Sequence, residues 1–110
     1  MAGGVLGSGT ASSGSGSPGT ITVTVYTCPL TASYAVLHIF YSLRCNDASS
    51  SVRVSGQTLA AVSSTVSATD DGTASVVLGP GQSITAVATS SGAIGKSASA
   101  TAWVTGYEVT

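Results

Sequence analysis

Hydrophobic and polar residues alternate along much of the chain, which is the pattern of half-buried β-strands. Over residues 20–25, Ile21, Val23 and Val25 occupy every second position and threonines occupy the positions between them. Pro29 follows shortly afterwards and ends the strand, because proline cannot donate a hydrogen bond to a sheet. The pattern predicts a strand with one face on a core.

A longer strand is predicted over residues 34–43, with bulky side chains on both faces. One face carries Tyr34, Val36, His38 and Phe40, and the other carries Ala35, Leu37, Ile39 and Tyr41. The aromatic and β-branched content favours a strand over a helix. A strand that is apolar on both faces is either central in its sheet or covered by a partner. Tyr34, His38 and Phe40 are therefore candidate interface residues.

The remaining chain predicts further short strands separated by turns. Strands are expected at residues 51–54, 58–66, 73–78, 83–89 and 97–109, with Gly106 as a bulge or bend in the last. The turn sequences are Asn46-Asp47, Ser55-Gly56, Asp70-Asp71-Gly72, Gly79-Pro80-Gly81 and Ser90-Ser91-Gly92. Seven or eight strands with a turn roughly every 10 residues predict an all-β fold, an antiparallel β-sandwich of jelly-roll type.

Residues 1–19 differ from the rest because they are rich in glycine and serine. Such a segment is a flexible coil in isolation and has little apolar surface with which to fold onto its own domain. We therefore expect an extended arm at 1–19 and a β-sandwich domain at 20–110. The arm would be held by neighbouring chains, with Val5, Leu6 and Pro18 as its candidate contact residues.

The scarcity of charge excludes several classes of partner. Charged residues make up 6% of the chain, against about 25% in a typical soluble domain. The only permanent cations are Arg44, Arg53 and Lys96, too few for the phosphate contacts that nucleic-acid binding requires. No apolar run reaches the ~18 residues of a membrane span, and no signal peptide is expected. The hydroxyl-rich surface that remains suits a protein that lies against neighbours.

Residues able to carry chemistry are few and scattered. His38 is the only histidine, with no second ligand at metal-binding spacing, and Asp70-Asp71-Gly72 lacks the later ligands of a calcium loop. No serine lies in a nucleophile elbow. Cys28 and Cys45 are expected to be buried thiols, although a late bridge between them stays open. We expect no enzyme activity, no metal and no cofactor.

Aromatic side chains leave one alternative open. Tyrosine and tryptophan rings can stack on sugars, so a carbohydrate-binding module is one interpretation of the five candidates, Tyr26, Tyr34, Tyr41, Trp103 and Tyr107. Because they lie on separate predicted strands, core or interface packing is the preferred interpretation. An exposed aromatic platform would favour sugar binding, and a buried Trp103 would argue against it.

Three short stretches together resemble small β-sandwich structural proteins of tailed bacteriophages. Residues 25–29 read VYTCP, residues 78–84 read LGPGQSI, and residues 104–109 read VTGYEV. Proteins of this kind have a VYTxP strand, an L-x-PGQSI turn and a final strand ending in GYE or GxE. The resemblance covers residues 20–110, and Cys28 stands where those proteins usually have a small aliphatic residue.

The resemblance implies a virion protein assembled in the host bacterial cytoplasm. Its first implication is a head decoration, or cement, protein that binds the major capsid protein or other virion proteins across capsomers. Such proteins are often trimers that use an extended arm, so a homotrimer is favoured. A tail-fibre or baseplate module is the alternative within the same class.

Overall fold

The computed structural model describes residues 4–16 and 18–110, which form an antiparallel all-β fold. Its six strands are β1 (Gly4–Ser13), β2 (Gly19–Thr27), β3 (Tyr34–Val54), β4 (Gln57–Leu78), β5 (Ser83–Ser90) and β6 (Ser97–Val109). They are hydrogen-bonded in the order β1-β6-β3-β5-β2, with β4 on the other side of β3. The described residues contain no helix.

The sheet is folded over itself into two layers, which gives the predicted β-sandwich. The front layer contains β1, β6, residues 34–46 of β3 and residues 67–78 of β4. The back layer contains β2, β5, residues 48–54 of β3 and residues 57–64 of β4. Strands β3 and β4 serve both layers, so six strands supply eight segments, of which seven correspond to predicted strands and the eighth is β1.

The β3–β4 hairpin must bend to serve both layers. A straight strand of 21 residues would span roughly 69 Å, whereas the longest dimension of the molecule is 47 Å. The bend lies at Asp47, whose φ is 50°, where the register with β4 also shifts. The predicted turn at Asn46-Asp47 is wrong, because these residues form a bend inside β3 and do not separate two strands. The predicted turn at Ser55-Gly56 is confirmed, with φ values of 52° and 79°.

The predicted turn at Asp70-Asp71-Gly72 is wrong, because these residues lie inside β4 opposite Leu43, Ser42 and Tyr41. Gly72 has no positive φ, so its lack of a side chain serves another purpose. A Cβ at Gly72 would lie 2.5 Å from the hydroxyl oxygen of Tyr41. The glycine therefore makes room for the tyrosine ring across the ladder, which is a strand feature rather than a turn feature.

The core between the layers is built from alternate residues of the strands. Its largest fully buried side chains are Leu37, Ile39, Leu43, Val52, Leu78, Ile84 and Val104. Strand β6 contributes mainly alanines to the core, namely Ala98, Ala100 and Ala102. Cys28 and Cys45 are unbridged and buried, as expected of thiols that act as small apolar residues. Residues 35, 37 and 39 face inward, so residues 34, 36, 38 and 40 face solvent.

The expected extended arm is instead largely a strand of the sandwich. Residues 4–13 form β1, which pairs with β6 along its whole length, and Ala11 is fully buried. The reason lies in the small inward-facing residues: a Cβ at Gly9 would lie 3.0 Å from a methyl group of Val23 on β2. Glycine lets β1 approach β2 closely, so contact does not depend on bulky apolar side chains. Residues 1–3 and Ser17 lie outside the described residues.

One end of the sandwich joins the three stretches that carry the phage resemblance. The Tyr26 hydroxyl donates a 2.7 Å hydrogen bond to Oε2 of Glu108, tying β2 to β6. The Cys28 amide donates to the carbonyl of Gln82, and the Gly81 amide donates to the carbonyl of Cys28, both at 2.9 Å. The stretches therefore act together in fastening this end of the fold. These contacts indicate a structural role for the three stretches and do not indicate a ligand.

Replacing Tyr26 by phenylalanine is expected to lower the free energy of unfolding by about 1–3 kcal/mol at neutral pH, because Glu108 loses its buried donor. Burial and the Glu108 carboxylate raise the pKa of Tyr26 above 10.0. Because its pKa is higher in the folded state, the protonated Tyr26 stabilises the fold fully at pH values below the unfolded-state pKa. This stabilisation is lost as the pH rises from that value through the folded-state pKa. Urea titrations above pH 10.0 should show a shallower decline in stability for Tyr26→Phe than for the wild type.

Candidate interaction surface

Strand register collects the exposed aromatic residues on the solvent side of the front layer. Phe40 of β3 lies directly opposite Trp103 of β6, and Val36 lies opposite Tyr107. On the other side of β3, Val77 of β4 pairs with Val36. We call this surface the aromatic face, and its members are Val5, Tyr34, Val36, His38, Phe40, Ser75, Val77, Trp103, Thr105 and Tyr107.

The large side chains of the aromatic face are only half covered. Tyr34 and Phe40 are each 41% exposed, and Trp103 and Tyr107 are each 42% exposed. At the rims of the face, Val5 is 67% exposed and Val77 is 63% exposed. Contiguous exposed apolar surface of this kind is typical of a binding or subunit interface, whereas single exposed apolar residues are ordinary.

His38 lies in the middle of the aromatic face. Its Nδ1 atom is 3.0 Å from the Ser75 hydroxyl, and its ring meets the Phe40 ring edge to face with centroids 4.8 Å apart. His38 and Ser75 line a shallow depression of about 370 Å³ together with Val36, Val77 and Tyr107. His38 has an interface environment, and these neighbours provide no metal ligand.

A polar strip adjoins the aromatic face towards the other end of the front layer. Arg44 forms a two-pronged ion pair with Asp71, with Nη2 and Oδ2 3.2 Å apart. The Arg44 guanidinium, with a hydrogen bond from Ser42, lowers the pKa of Asp71. Thr10 and Thr101 share a 2.9 Å hydrogen bond between their hydroxyls. This side of the front layer therefore has an apolar half and a hydroxyl-rich half. In the hydroxyl-rich half, the charges of Arg44 and Asp71 neutralise each other.

The structure brings together four of the six candidate residues from the sequence. Val5, Tyr34, His38 and Phe40 all lie on the aromatic face. Leu6 lies beside it, at a bulge where β1 has one more residue than β6. Pro18 lies at the opposite end of the sandwich, against Gly92.

Sequence reasoning missed the contributions of Trp103, Tyr107 and Val77 to this surface. The sequence shows that these residues alternate with others along their own strands. It does not show the register that places β6 and β4 beside residues 34–40 of β3. The expectation that the aromatic residues are scattered is wrong for those on β3 and β6, because these two strands are neighbours in the sheet. A buried Trp103 would have argued against sugar binding, but Trp103 is half exposed. Tyr26 is buried and cannot stack on a ligand.

Other places in the described part of the chain offer less chemistry. No three His, Cys, Asp or Glu side chains among residues 4–16 and 18–110 are grouped so as to hold a metal ion. A groove of about 640 Å³ at the polar end has serine as its most frequent lining residue, and Arg44 also lines it. Asp47 forms an ion pair with Lys96 at 3.0 Å. The helix-free fold that is described offers no helix that could cross a membrane.

Comparisons with known proteins show a distant likeness of fold to a solved structure. No family model matches the chain, and no curated protein matches it. Among solved structures, the chain is similar to the crystal structure of the CBM36-1 domain of a multidomain xylanase from the hindgut metagenome of Trinervitermes trinervoides. The likeness covers 97% of this chain and 90% of that domain, with 19% sequence identity and a TM-score of 0.43. A likeness of this degree carries no information about ligand or activity.

Proposed function

We propose that this protein is a non-enzymatic structural subunit of a tailed-bacteriophage particle that packs against other subunits through the aromatic face. Decoration of the head, by binding the major capsid protein across capsomers, is the preferred form of the proposal. Its location is then the virion, after assembly in the host bacterial cytoplasm. The observation that carries the proposal is the contiguous, half-exposed group formed by Tyr34, Phe40, Trp103 and Tyr107.

The physical support is the match between this surface and the chain's composition. A large aromatic side chain that is about two-fifths exposed still has roughly 60–100 Å² to bury, or about 2 kcal/mol of gross apolar burial per ring. With 6% charged residues, the chain has little electrostatic repulsion to keep copies or partners apart. Because residues 4–13 are part of the sandwich, the face replaces the arm as the proposed contact surface.

The proposal is tested by replacing Trp103 with serine and measuring incorporation into particles. Trp103 contacts solvent over 42% of its surface, so the variant should fold but lose at least about tenfold in binding to purified capsids by co-sedimentation. Ile94→Ser is the matched control, because Ile94 is 94% exposed on a loop away from the face. Equal binding by both variants contradicts the proposal, and immunogold labelling distinguishes a head location from a tail fibre or baseplate.

Carbohydrate binding is the second candidate, favoured by one feature of the same surface. Trp103 and Phe40 lie side by side, and the hydroxyls of Thr101 and Ser42 occupy the next positions along the same strands. Aromatic rings flanked by hydroxyls and an ion pair could stack on and hydrogen-bond a sugar. A glycan array probed with the wild type and with Trp103→Ser decides between the candidates. A signal that the wild type gives and the variant loses supports sugar binding, whereas no signal from the wild type rules it out.

A further inference from the structure

We propose that the aromatic face pairs with the same face of a second copy of this chain, about a two-fold axis near His38 and Thr105. This inference rests on the proposed function, because it names a second copy of this chain as the partner of the same surface in the free protein, a copy that the capsid protein would displace in the particle. A two-fold interface requires one patch to be complementary to itself, so that what protrudes on one copy fills a depression on the other. The face has large rings on one side of His38 and a depression on the other.

The feature that would fill a depression is the pair of large rings of Trp103 and Phe40, which lie directly opposite each other in the ladder and are each about two-fifths exposed. The depression of about 370 Å³ extends from His38 and Ser75 to the next row, which contains Val36, Val77 and Tyr107. His38 and Thr105 form the row between these rings and the row of Tyr107. A two-fold rotation about that row exchanges its two sides, which places the large rings of each copy over the depression of the other.

Charge on this side of the front layer is compatible with a copy of itself as the partner. Arg44 and Asp71 are its permanently charged residues among those described, and they neutralise each other in a two-pronged ion pair. Two identical faces can therefore approach without like charges meeting. A charged partner would find no unpaired opposite charge on this surface, whereas an uncharged apolar partner would need none.

The available area is enough for a modest dimer. Rotation about the His38 row overlaps the rows from Tyr34 to Ser42, about 30 Å of strand across four strands about 4.8 Å apart. The overlap is roughly 600 Å² on each copy, which is at the lower end for specific interfaces. The apolar side chains lie in its middle and the polar strip lies at its rim, as in typical interfaces. A reversible dimer follows, rather than a permanent one.

Sedimentation equilibrium of the full chain over a wide concentration range tests the pairing. We expect a monomer–dimer equilibrium in the wild type and in Ile94→Ser. In Trp103→Ser we expect dissociation at least about thirtyfold easier, because each dimer loses the same contact twice. A monomer at all concentrations, a trimer, or a dimer unaffected by Trp103→Ser would overturn the inference.

A cysteine placed near the proposed axis tests its symmetry. Thr105→Cys should give a disulfide-linked dimer under mild oxidation, because equivalent residues meet at a two-fold axis, whereas Thr22→Cys on the exposed side of the back layer should not. The native cysteines are buried and leave a low background. Cross-linking at Thr22 alone contradicts the inference. If Trp103→Ser abolishes capsid binding in a protein that never dimerises, the dimer fails and the proposed function stands.

Discussion

Replacing Gly106 by alanine is expected to destabilise the fold by about 4 kcal/mol or more, a large share of the 5–15 kcal/mol typical of a domain. Two effects combine at this residue. Its φ is 139°, in a region that is essentially restricted to glycine. A Cβ there would also collide with the backbone carbonyl oxygen of Val36 on the neighbouring strand, which cannot move without breaking the pairing between β3 and β6.

Gly95→Ala is the control that separates these two effects. Gly95 also has a positive φ, 82°, but no atom lies within 4 Å of the position of its Cβ. This variant should lose only about 1 kcal/mol or slightly more, from backbone strain alone. Urea denaturation of both variants measures the difference, and an equally small loss for Gly106→Ala would show that the strands can separate to admit a methyl group.

Replacing Gly7 by alanine is expected to have the second largest effect, about 3 kcal/mol or more. Gly7 lies in β1 and faces β2, where a Cβ would collide with the carbonyl oxygen of Val25. The collision pushes β1 away from β2 and opens the core between the two layers at this edge. If residues 4–13 were a loose arm, the same substitution would leave stability unchanged.

Gly14→Ala is the matched control for this prediction. A Cβ at Gly14 would lie 3.6 Å from Cβ of Ser97, an ordinary contact, and the residue has no positive φ. The substitution should be neutral or slightly stabilising, because alanine reduces the freedom of the unfolded chain. Thermal melts of the two variants compare them directly, and similar melting temperatures would mean that the layers tolerate a wider separation.

The strands with large alternating residues could be predicted from sequence, whereas β1 and the centre of β4 could not. Residues 20–25 and 83–89 alternate apolar and small polar residues, and both lie in strands close to the predicted limits. β1 carries glycine, alanine and serine on its inward face, so its sequence has the composition of a linker. Asp70-Asp71-Gly72 has the composition of a turn, but Arg44 and Tyr41 across the ladder determine its conformation.

The candidate site could be predicted only along a single strand. Tyr34, His38 and Phe40 share a face because a strand has a period of two, which the sequence displays. Trp103 and Val77 join them because of register between strands far apart in sequence, and no local pattern specifies register. Glu108 illustrates the same limit, since its partner Tyr26 is 82 residues away in the chain.

Because the β3–β4 hairpin supplies segments to both layers, neither layer is a separable folding unit. Residues 48–54 pair with β5 in the back layer, so detaching that layer would pull on residues 34–46 of the same strand, which lie between β6 and β4 in the front layer. Partial opening therefore sacrifices pairing on both sides of the core at once. We therefore expect the molecule to unfold in a single cooperative step, with no stable form in which one layer is folded and the other is not.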